Sequence, residues 1–449
     1  MNRLALSFAA LLLLAGSPSA QVTVGPLRRV SVASHPARRT LTPPNFVVIL
    51  VDDFGVDMLG AYAEGSDPPC TPNIDALAAD GLLFRNAWAN PTCSPTRASL
   101  LTGRHAFRTG MGSPATNMGF GLPLSELLLP EALVGYDSTC VGKWHLGGNL
   151  GATHPNASGF GRFAGLLAGT VTSYTSWPKT VDGSTSVTGT YATTDIANEA
   201  IASLGAMQEP WFLYVSFNAP HTPFHEPPSA LCPTPGCVSQ DCGNLPPNPT
   251  NRQLGKAMVE ALDTELGRFL AALDAVDPAA WVFLMGDNGT ARQLTEAPFQ
   301  PLRAKGTIFE GGVNVPLIVR GPGVVPGECG ALVSCVDLFA TITELAGVPT
   351  ATEDSVSLVP LFSNPALAVR ETVYSELFEP NGFGLQLTAH DRAVRNERYK
   401  LVRRLAAADE LYDILLDPFE TTNLLPGLTV GEQLAYDELE AELVALGVD

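Results

Sequence analysis

The chain has no apolar run long enough to cross a bilayer. Its longest, Leu4 to Ala15, falls well short of the roughly 20 residues a spanning helix needs. Placed behind Arg3 and ahead of the small residues Ser17 to Ala20, it instead reads as a secretory signal over residues 1–20. An exported protein, periplasmic or secreted and without a membrane span, is expected. No cysteine follows the apolar stretch, which argues against a lipidated terminus. Bases are scarce too: 26 Lys and Arg stand against 45 Asp and Glu, a formal net charge of −19. Nucleic acid and anionic membranes are therefore poor partners, and an enzyme for anionic substrates would need a locally positive pocket. The acids are spread rather than blocked, and no internal repeat is present.

At 449 residues the chain exceeds one average domain. Residues 21–44 are basic, contain Pro and Ser and lack apolar periodicity, as a leader arm would. Continuous apolar, β-rich runs then recur at Phe46 to Val51, Trp211 to Phe217, Trp281 to Met285 and Leu317 to Val319, with a shorter one at Ser138 to Val141. Such runs suit strands buried on both faces of a parallel sheet. Helical patterns lie between them: one from Thr71-Pro72 to Gly81, one through Leu254, Met258, Leu262, Leu266 and Leu270, and one through Val336, Phe339, Ile342 and Leu345. This alternation predicts an α/β domain over 45–350 with a mostly parallel mixed sheet flanked by helices. Beyond it, short strands at Thr372 to Glu376, Arg392 to Val394 and Tyr399 to Arg403 and a closing helix through Leu434 to Leu446 predict a small α+β subdomain with an antiparallel sheet over 351–449. The stretches Gly159 to Thr194 and Pro220 to Pro249 read as long loops, which are often functional rims.

Cys93-Ser94-Pro95-Thr96-Arg97 carries the strongest chemical signal. Ser94 is a good N-cap and Pro95 suits a first helical position. Cys93 is thereby placed at a helix N-terminus, which favours an anion or a nucleophilic oxygen. Arg97 can project over the same turn. Among the remaining cysteines, Cys232, Cys237 and Cys242 have no histidine among them and spacings that fit zinc poorly. In an exported chain, bridges are the better expectation, leaving one of Cys70, Cys140, Cys232, Cys237, Cys242, Cys329 and Cys335 free once Cys93 is set apart.

In open α/β sheets ligands bind beyond the carboxyl ends of the strands. Four expected strands end there in polar residues: Asp52-Asp53, Gly142-Lys143-Trp144-His145, Asn218-Ala219-Pro220-His221 and Gly286-Asp287-Asn288-Gly289. Three acids and an amide are hard oxygen donors that suit calcium or magnesium rather than zinc. Each motif alone is more often a turn or a cap; their joint appearance, each behind an apolar strand, points to a cation site.

Cys93 to Arg97 with the following Leu101-Thr102-Gly103-Arg104, these strand-end motifs, and the phrases Glu410-Leu411-Tyr412-Asp413 and Glu420-Thr421-Thr422-Asn423-Leu424 together resemble the sulfatases of the alkaline phosphatase superfamily, from Asn45 to about Leu424. The resemblance implies that a maturation enzyme oxidises Cys93 to formylglycine, whose hydrate attacks sulfur. It implies calcium held by Asp52, Asp53, Asp287, Asn288 and the group made from Cys93, with Arg97 steadying both. Lys143 and Lys305 would bind sulfate oxygens or the nucleophile. Asp287 would accept the attacking proton, His221 would protonate the departing alcohol, and His145 would remove the second hydroxyl proton. The substrate would be a small-molecule or glycan sulfate ester. A phosphonate monoester or phosphodiester hydrolase using the same site is the nearest alternative, and a non-catalytic binder of sulfated glycans a more distant one. Of the other histidines, His105, His154 and His390 read as surface or structural, whereas His225 and Glu226 are placed to touch substrate.

Overall fold

The computed structural model describes residues 43–232 and 240–448. The expected signal, all but the end of the leader arm, and Cys237 lie outside the described residues. The described residues form one compact unit. Its principal sheet contains β1 (Phe46–Val51), β2 (Leu82–Trp88), β3 (Asp137–Lys143), β4 (Arg162–Leu166), β5 (Trp177–Val181), β6 (Ser184–Thr188), β7 (Trp211–Phe217), β8 (Trp281–Gly286), β9 (Leu317–Arg320) and β10 (Gly327–Ser334). The spatial order is β10-β2-β9-β8-β1-β7-β3-β4-β5-β6. The central run from β8 through β1, β7 and β3 to β4 is parallel, while β9, β5 and β6 run antiparallel to their neighbours. The sheet is mixed and mostly parallel in its core, as expected.

The continuous apolar runs have a simple cause. Successive strand side chains point to opposite faces, and both faces are covered. In β1, Val47, Ile49 and Val51 enter one core while Phe46, Val48 and Leu50 enter the other. The first core is closed by helices α1 (Pro72–Asp80), through Ile74 and Leu77, α3 (Ala192–Ala206), through Ile196 and Leu204, and α4 (Asn251–Val276), through Met258, Leu262, Leu266 and Phe269. The second is closed by α2 (Cys93–Thr102), through Leu100 and Leu101, and α5 (Asp337–Leu345), through Leu338, Phe339 and Ile342. Each fully buried Leu, Ile or Phe in these layers contributes about 1.5–3 kcal/mol.

A second sheet, β11 (Val373–Glu379), β12 (Ala389–Arg395), β13 (Tyr399–Arg404) and β14 (Glu410–Asp413), is an antiparallel meander. One face packs Val394, Leu401 and Leu411 on Leu439 and Leu443 of the closing helix α6 (Val430–Leu446). The other packs Val373, Val402 and Tyr412 on Trp88, Phe309 and Leu332 of the main unit. That junction holds a buried ion cluster. Glu310 receives Arg395 and Lys400, both at 3.1 Å, and Lys400 also faces Glu420 at 2.8 Å.

Three expectations are corrected. Residues 159–194 are not a loop: they contain β4, β5 and β6 and the start of α3. β5 and β6 carry a proline and mostly exposed residues, so they lack the apolar runs of buried strands. The N-cap of α2 is Thr92, not Ser94, and the helix opens on Cys93 itself. The Ser94 hydroxyl donates instead to the His145 carbonyl and accepts from the Ala115 N–H. Finally, fewer cysteines are bridged than expected. Cys232 pairs with Cys242 and Cys70 is also disulfide-bonded, but Cys140, Cys329 and Cys335 are buried free thiols. Each sits in the apolar packing of the second core.

Candidate active site

The four strands whose ends were singled out, β8, β1, β7 and β3, are adjacent in the sheet, so their carboxyl ends deliver Asp287-Asn288, Asp52-Asp53, Asn218 to His221 and Lys143 to His145 to one place. α2 brings Cys93 and Arg97 over the same edge. Lys305 comes from a loop held by its own N–H, which donates to the Thr290 carbonyl at 3.1 Å.

Arg97 organises the floor. Its guanidinium donates from Nη2 to Asp287 Oδ2 at 2.7 Å and from Nε to the same oxygen at 3.2 Å. Nη1 donates to the Lys143 carbonyl at 2.9 Å and to Ser216 Oγ at 2.5 Å. Ser216 was not anticipated, although it is the one hydroxyl-bearing aliphatic position in the otherwise apolar β7 run. Lys143 Nζ meets Asp52 Oδ2 at 2.5 Å, and Lys305 Nζ pairs with Asp53 Oδ1. Asn288 Nδ2 donates to Asp53 Oδ1 at 2.9 Å, and the Asp53 N–H donates to Asp287 Oδ1 at 3.1 Å. Cys93 Sγ lies 3.2 Å from His145 Nδ1. Asp52, Asp53, Cys93, Arg97, Lys143, His145, Asp287 and Asn288 are all buried, whereas Lys305 and His221 are partly open to solvent. The site is therefore approached from the side of Lys305 and His221.

The backbone is bent to make this arrangement. Asp53 and His145 have φ values of 62° and 56°, left-handed conformations that cost non-glycine residues on the order of 1–3 kcal/mol and persist where surrounding structure enforces them. Gly142, just before Lys143, has φ 92°, and a Cβ there would fall 1.9 Å from the Ser216 carbonyl oxygen.

Electrostatics divides the acids. Burial opposes the charge on Asp53, but Lys305 and His221 beside it, with hydrogen bonds from Lys305 and Asn288, hold its carboxyl well below the usual range. Asp287 goes the other way, raised to about 6 by burial and by Asp52, with Arg97 and Lys143 opposing. His145 is held well below an ordinary imidazole by burial and by the nearby Lys143 and Arg97. Burial disfavours the charge on Lys305, but Asp53 more than restores it and raises the ammonium above its ordinary value. Arg97, Lys143 and Lys305 thus offset the three acids one for one, so the site is formally neutral where the acids alone would make it strongly negative.

The residues also fit a hard divalent cation. Asp52 Oδ1 and Asn288 Oδ1 are buried with no hydrogen-bond partner, which is costly unless a ligand completes them. Ligand atoms of Asp52, Cys93 and Asp287 lie within 4.8 Å of one another, as do those of Asp52, Asp53 and His221.

Other assignments resolve structurally. His105 and His154 are buried, and His154 is held between Trp144 Nε1 at 2.9 Å and the Leu122 carbonyl at 2.9 Å. His225 packs on Tyr174 and Tyr191 and bonds Tyr191 Oη at 3.0 Å. Tyr174, which no motif marked, donates to the Asn218 and His221 carbonyls at 2.8 and 2.7 Å and so fixes the His221 turn.

Comparison with known proteins identifies the family. The sulfatase family model matches residues 44–348, and that of the N-sulphoglucosamine sulphohydrolase C-terminal region matches 302–446. The rat N-acetylgalactosamine-6-sulfatase is 33% identical over 71% of this chain, which spans 65% of that protein's length, just under two thirds. Human arylsulfatase A is 30% identical, covering 86% of this chain and 84% of its own. The crystal structure of Ps i-CgsB in complex with a neocarrahexaose superposes with a TM-score of 0.74 at 25% identity, covering 89% of this chain and 92% of that one. Among the described residues, no helix is long and apolar enough to cross a membrane. By family match, by relatives and by the arrangement of Cys93, Arg97 and the paired acids, this chain belongs to the sulfatase family.

Proposed function

We propose that the chain is an exported sulfuric ester hydrolase that works with a formylglycine made from Cys93 by a maturation enzyme and with a calcium ion held by Asp52, Asp53, Asp287, Asn288 and position 93. The observation that carries this reading is the convergence of Cys93 with three buried acids and three cationic side chains, two acceptor oxygens being left unpaired. When present, the hydrated aldehyde supplies a hydroxyl nucleophile at position 93 and the metal ion supplies positive charge beside it.

The chain's own residues do the rest. Asp287, whose ligand oxygen lies within 4.8 Å of Cys93 Sγ, takes the proton from the hydroxyl at position 93. Arg97 keeps that carboxylate oriented through its paired hydrogen bonds. Lys305, on the open side, holds sulfate oxygens and stabilises their charge in the transition state, while Lys143 fixes Asp52. His221, also on the open side, protonates the oxygen of the leaving alcohol. His145 Nδ1, 3.2 Å from Cys93 Sγ, is placed to take the second proton at that position. A glycan sulfate ester is supported by the sugar-directed names of the relatives, and export by the signal-like residues 1–20.

The test is the mass of the peptide spanning Asn86 to Arg97 from protein made with a competent maturation enzyme, paired with turnover of matched aryl sulfate and aryl phosphonate esters. We expect an aldehyde at position 93, faster sulfate turnover, and complete loss of turnover in Cys93→Ala without loss of fold. An active alanine variant would refute the nucleophile, and faster phosphonate turnover would transfer the site to phosphorus chemistry.

A further inference from the structure

The backbone of His145 is pinned on both sides. Its N–H donates to the Leu167 carbonyl at 3.1 Å and its carbonyl accepts from Ser94 Oγ at 2.8 Å. Its ring lies against Gly169, where even a Cβ would come within 2.4 Å of Nε2. What remains is the choice of which ring nitrogen carries the proton. Nε2 is 2.8 Å from the Ala115 carbonyl oxygen, and a carbonyl only accepts. Nε2 must therefore hold the hydrogen, which leaves Nδ1 as the acceptor facing position 93.

The Ala115 carbonyl is in turn held by a segment with two anchors. Its own N–H donates to Ser94 Oγ at 2.9 Å, linking it to the residue next to Cys93. The other anchor comes from the small antiparallel sheet, whose β11–β12 connection places Asn381 against residues 112–113. Asn381 Oδ1 accepts from the Gly112 and Ser113 N–H groups, both at 2.8 Å, and from Ser113 Oγ at 3.1 Å. Its Nδ2 donates to the Ser113 carbonyl at 3.0 Å. Two backbone bonds flank this clasp, Phe378 N–H to the Gly112 carbonyl at 3.1 Å and Gly382 N–H to the Gly110 carbonyl at 2.8 Å. One side chain thus satisfies three donors and an acceptor on the strip of chain that ends at Ala115.

We propose that Asn381 is a positioning residue for proton transfer at position 93, acting through the 112–115 segment so that the Ala115 carbonyl holds His145 in the Nε2–H tautomer. The proposal rests on the sulfatase reading for its catalytic consequence. Its structural half stands apart from it. The small sheet is thereby part of the active site's machinery although, in this linkage, it touches no reacting atom.

The test uses the full chain labelled with 15N-histidine. Long-range 1H–15N spectra report the tautomer, and the His145 signals are identified by their loss in His145→Gln. The wild-type protein is expected to show His145 protonated at Nε2. Asn381→Ala is expected to mix the tautomers and to lower kcat on an aryl sulfate on the order of 10–100-fold, the usual cost of losing an orienting partner, with KM unchanged. Asn381→Asp keeps the acceptor oxygen for Gly112 and Ser113 but sets its other oxygen against the Ser113 carbonyl, so it is expected to recover part of kcat. A wild-type His145 protonated at Nδ1 overturns the proposal outright, and this result needs no variant, so a poorly folding Asn381→Ala chain does not remove the test. An unchanged tautomer and kcat in Asn381→Ala, or a rise in KM alone, also overturns it. Wild-type protein with no sulfate turnover defeats the functional reading instead, a result distinguishable from the other two because the tautomer is read without substrate.

Discussion

Two clusters of buried charge lie in this molecule, and they are finished differently. At the junction of the two sheets, Glu310 and Glu420 face Arg395 and Lys400, two acids against two bases, with Trp88 Nε1 donating to Glu310 and the Lys400 ammonium 4.7 Å from the Trp88 ring centroid. At the carboxyl ends of the central strands, Asp52, Asp53 and Asp287 face Arg97, Lys143 and Lys305. The formal charges balance in both. Yet the second cluster leaves Asp52 Oδ1 and Asn288 Oδ1 without partners, bends Asp53 and His145 into left-handed backbone, and leaves Lys305 partly open to solvent. The first cluster serves the fold: Glu420 Oε1, its one oxygen without a hydrogen bond, still has the Lys400 ammonium 2.8 Å away. The second is kept incomplete by the protein itself, and that incompleteness distinguishes a site from a scaffold.

The contrast can be broken most strongly from the junction side. Lys400→Met removes the base shared by Glu310 and Glu420, and breaking a buried pair by deleting one partner costs about 3–5 kcal/mol. We expect a lower urea midpoint and an unchanged kcat/KM per folded molecule. Lost activity at unchanged stability would show that the junction cluster is not merely structural. The converse is Lys305→Ala, which removes a cation from the open cluster. The rate is expected to fall on the order of 100-fold, as for loss of one charge-stabilising contact, with a smaller drop in the urea midpoint than Lys400→Met gives, because Asp53 loses its partly exposed cation but keeps the Asn288 hydrogen bond; full activity would expel Lys305 from the site.

The smallest effect concerns His105, which follows α2 and packs on Tyr374 of the second sheet. Burial lowers it to about 4, assisted by Arg370 and Arg108 and opposed by Asp354. A depressed histidine gives stability that is complete above its unfolded value, near 6.5, and is lost as pH falls through the folded value. Between pH 6.5 and 5 the wild-type protein should lose on the order of 2 kcal/mol more than His105→Gln. Equal losses in urea titrations at the two pH values would show that His105 is not held neutral.

Much of this was legible in the amino-acid sequence because the central strands are buried on both faces. β1, β7 and β8 are unbroken apolar runs, and the polar residues that end them had to lie at one edge once the strands were parallel neighbours. β2 and β10 were less visible. β2 carries Arg85 and Asn86, and β10 lies at the sheet edge with Glu328, Gly330 and only a few buried apolar residues. Within the site, side chains that carry chemistry announced themselves by type and position. The Ala115 carbonyl could not, since every residue has one, and Asn381 reaches residues 112–113 only through a sheet some 268 positions further along. Ser216 was the exception that could have been found, a hydroxyl in a strand otherwise built from apolar and aromatic residues.

The burial of Cys93, 3% exposed at the head of α2, sets a clock. Its neighbour Arg97 waits for Asp287, 190 positions later in the chain, and β1 waits for β8 over a similar distance. At roughly 5–20 residues per second, those residues take about 10–40 s to be synthesised. During that interval the contacts that enclose the thiol in the folded chain cannot be complete. On the proposed function, an enzyme that rewrites this side chain would have to reach it before these contacts close, and the active fraction of a preparation would follow the order of those two events.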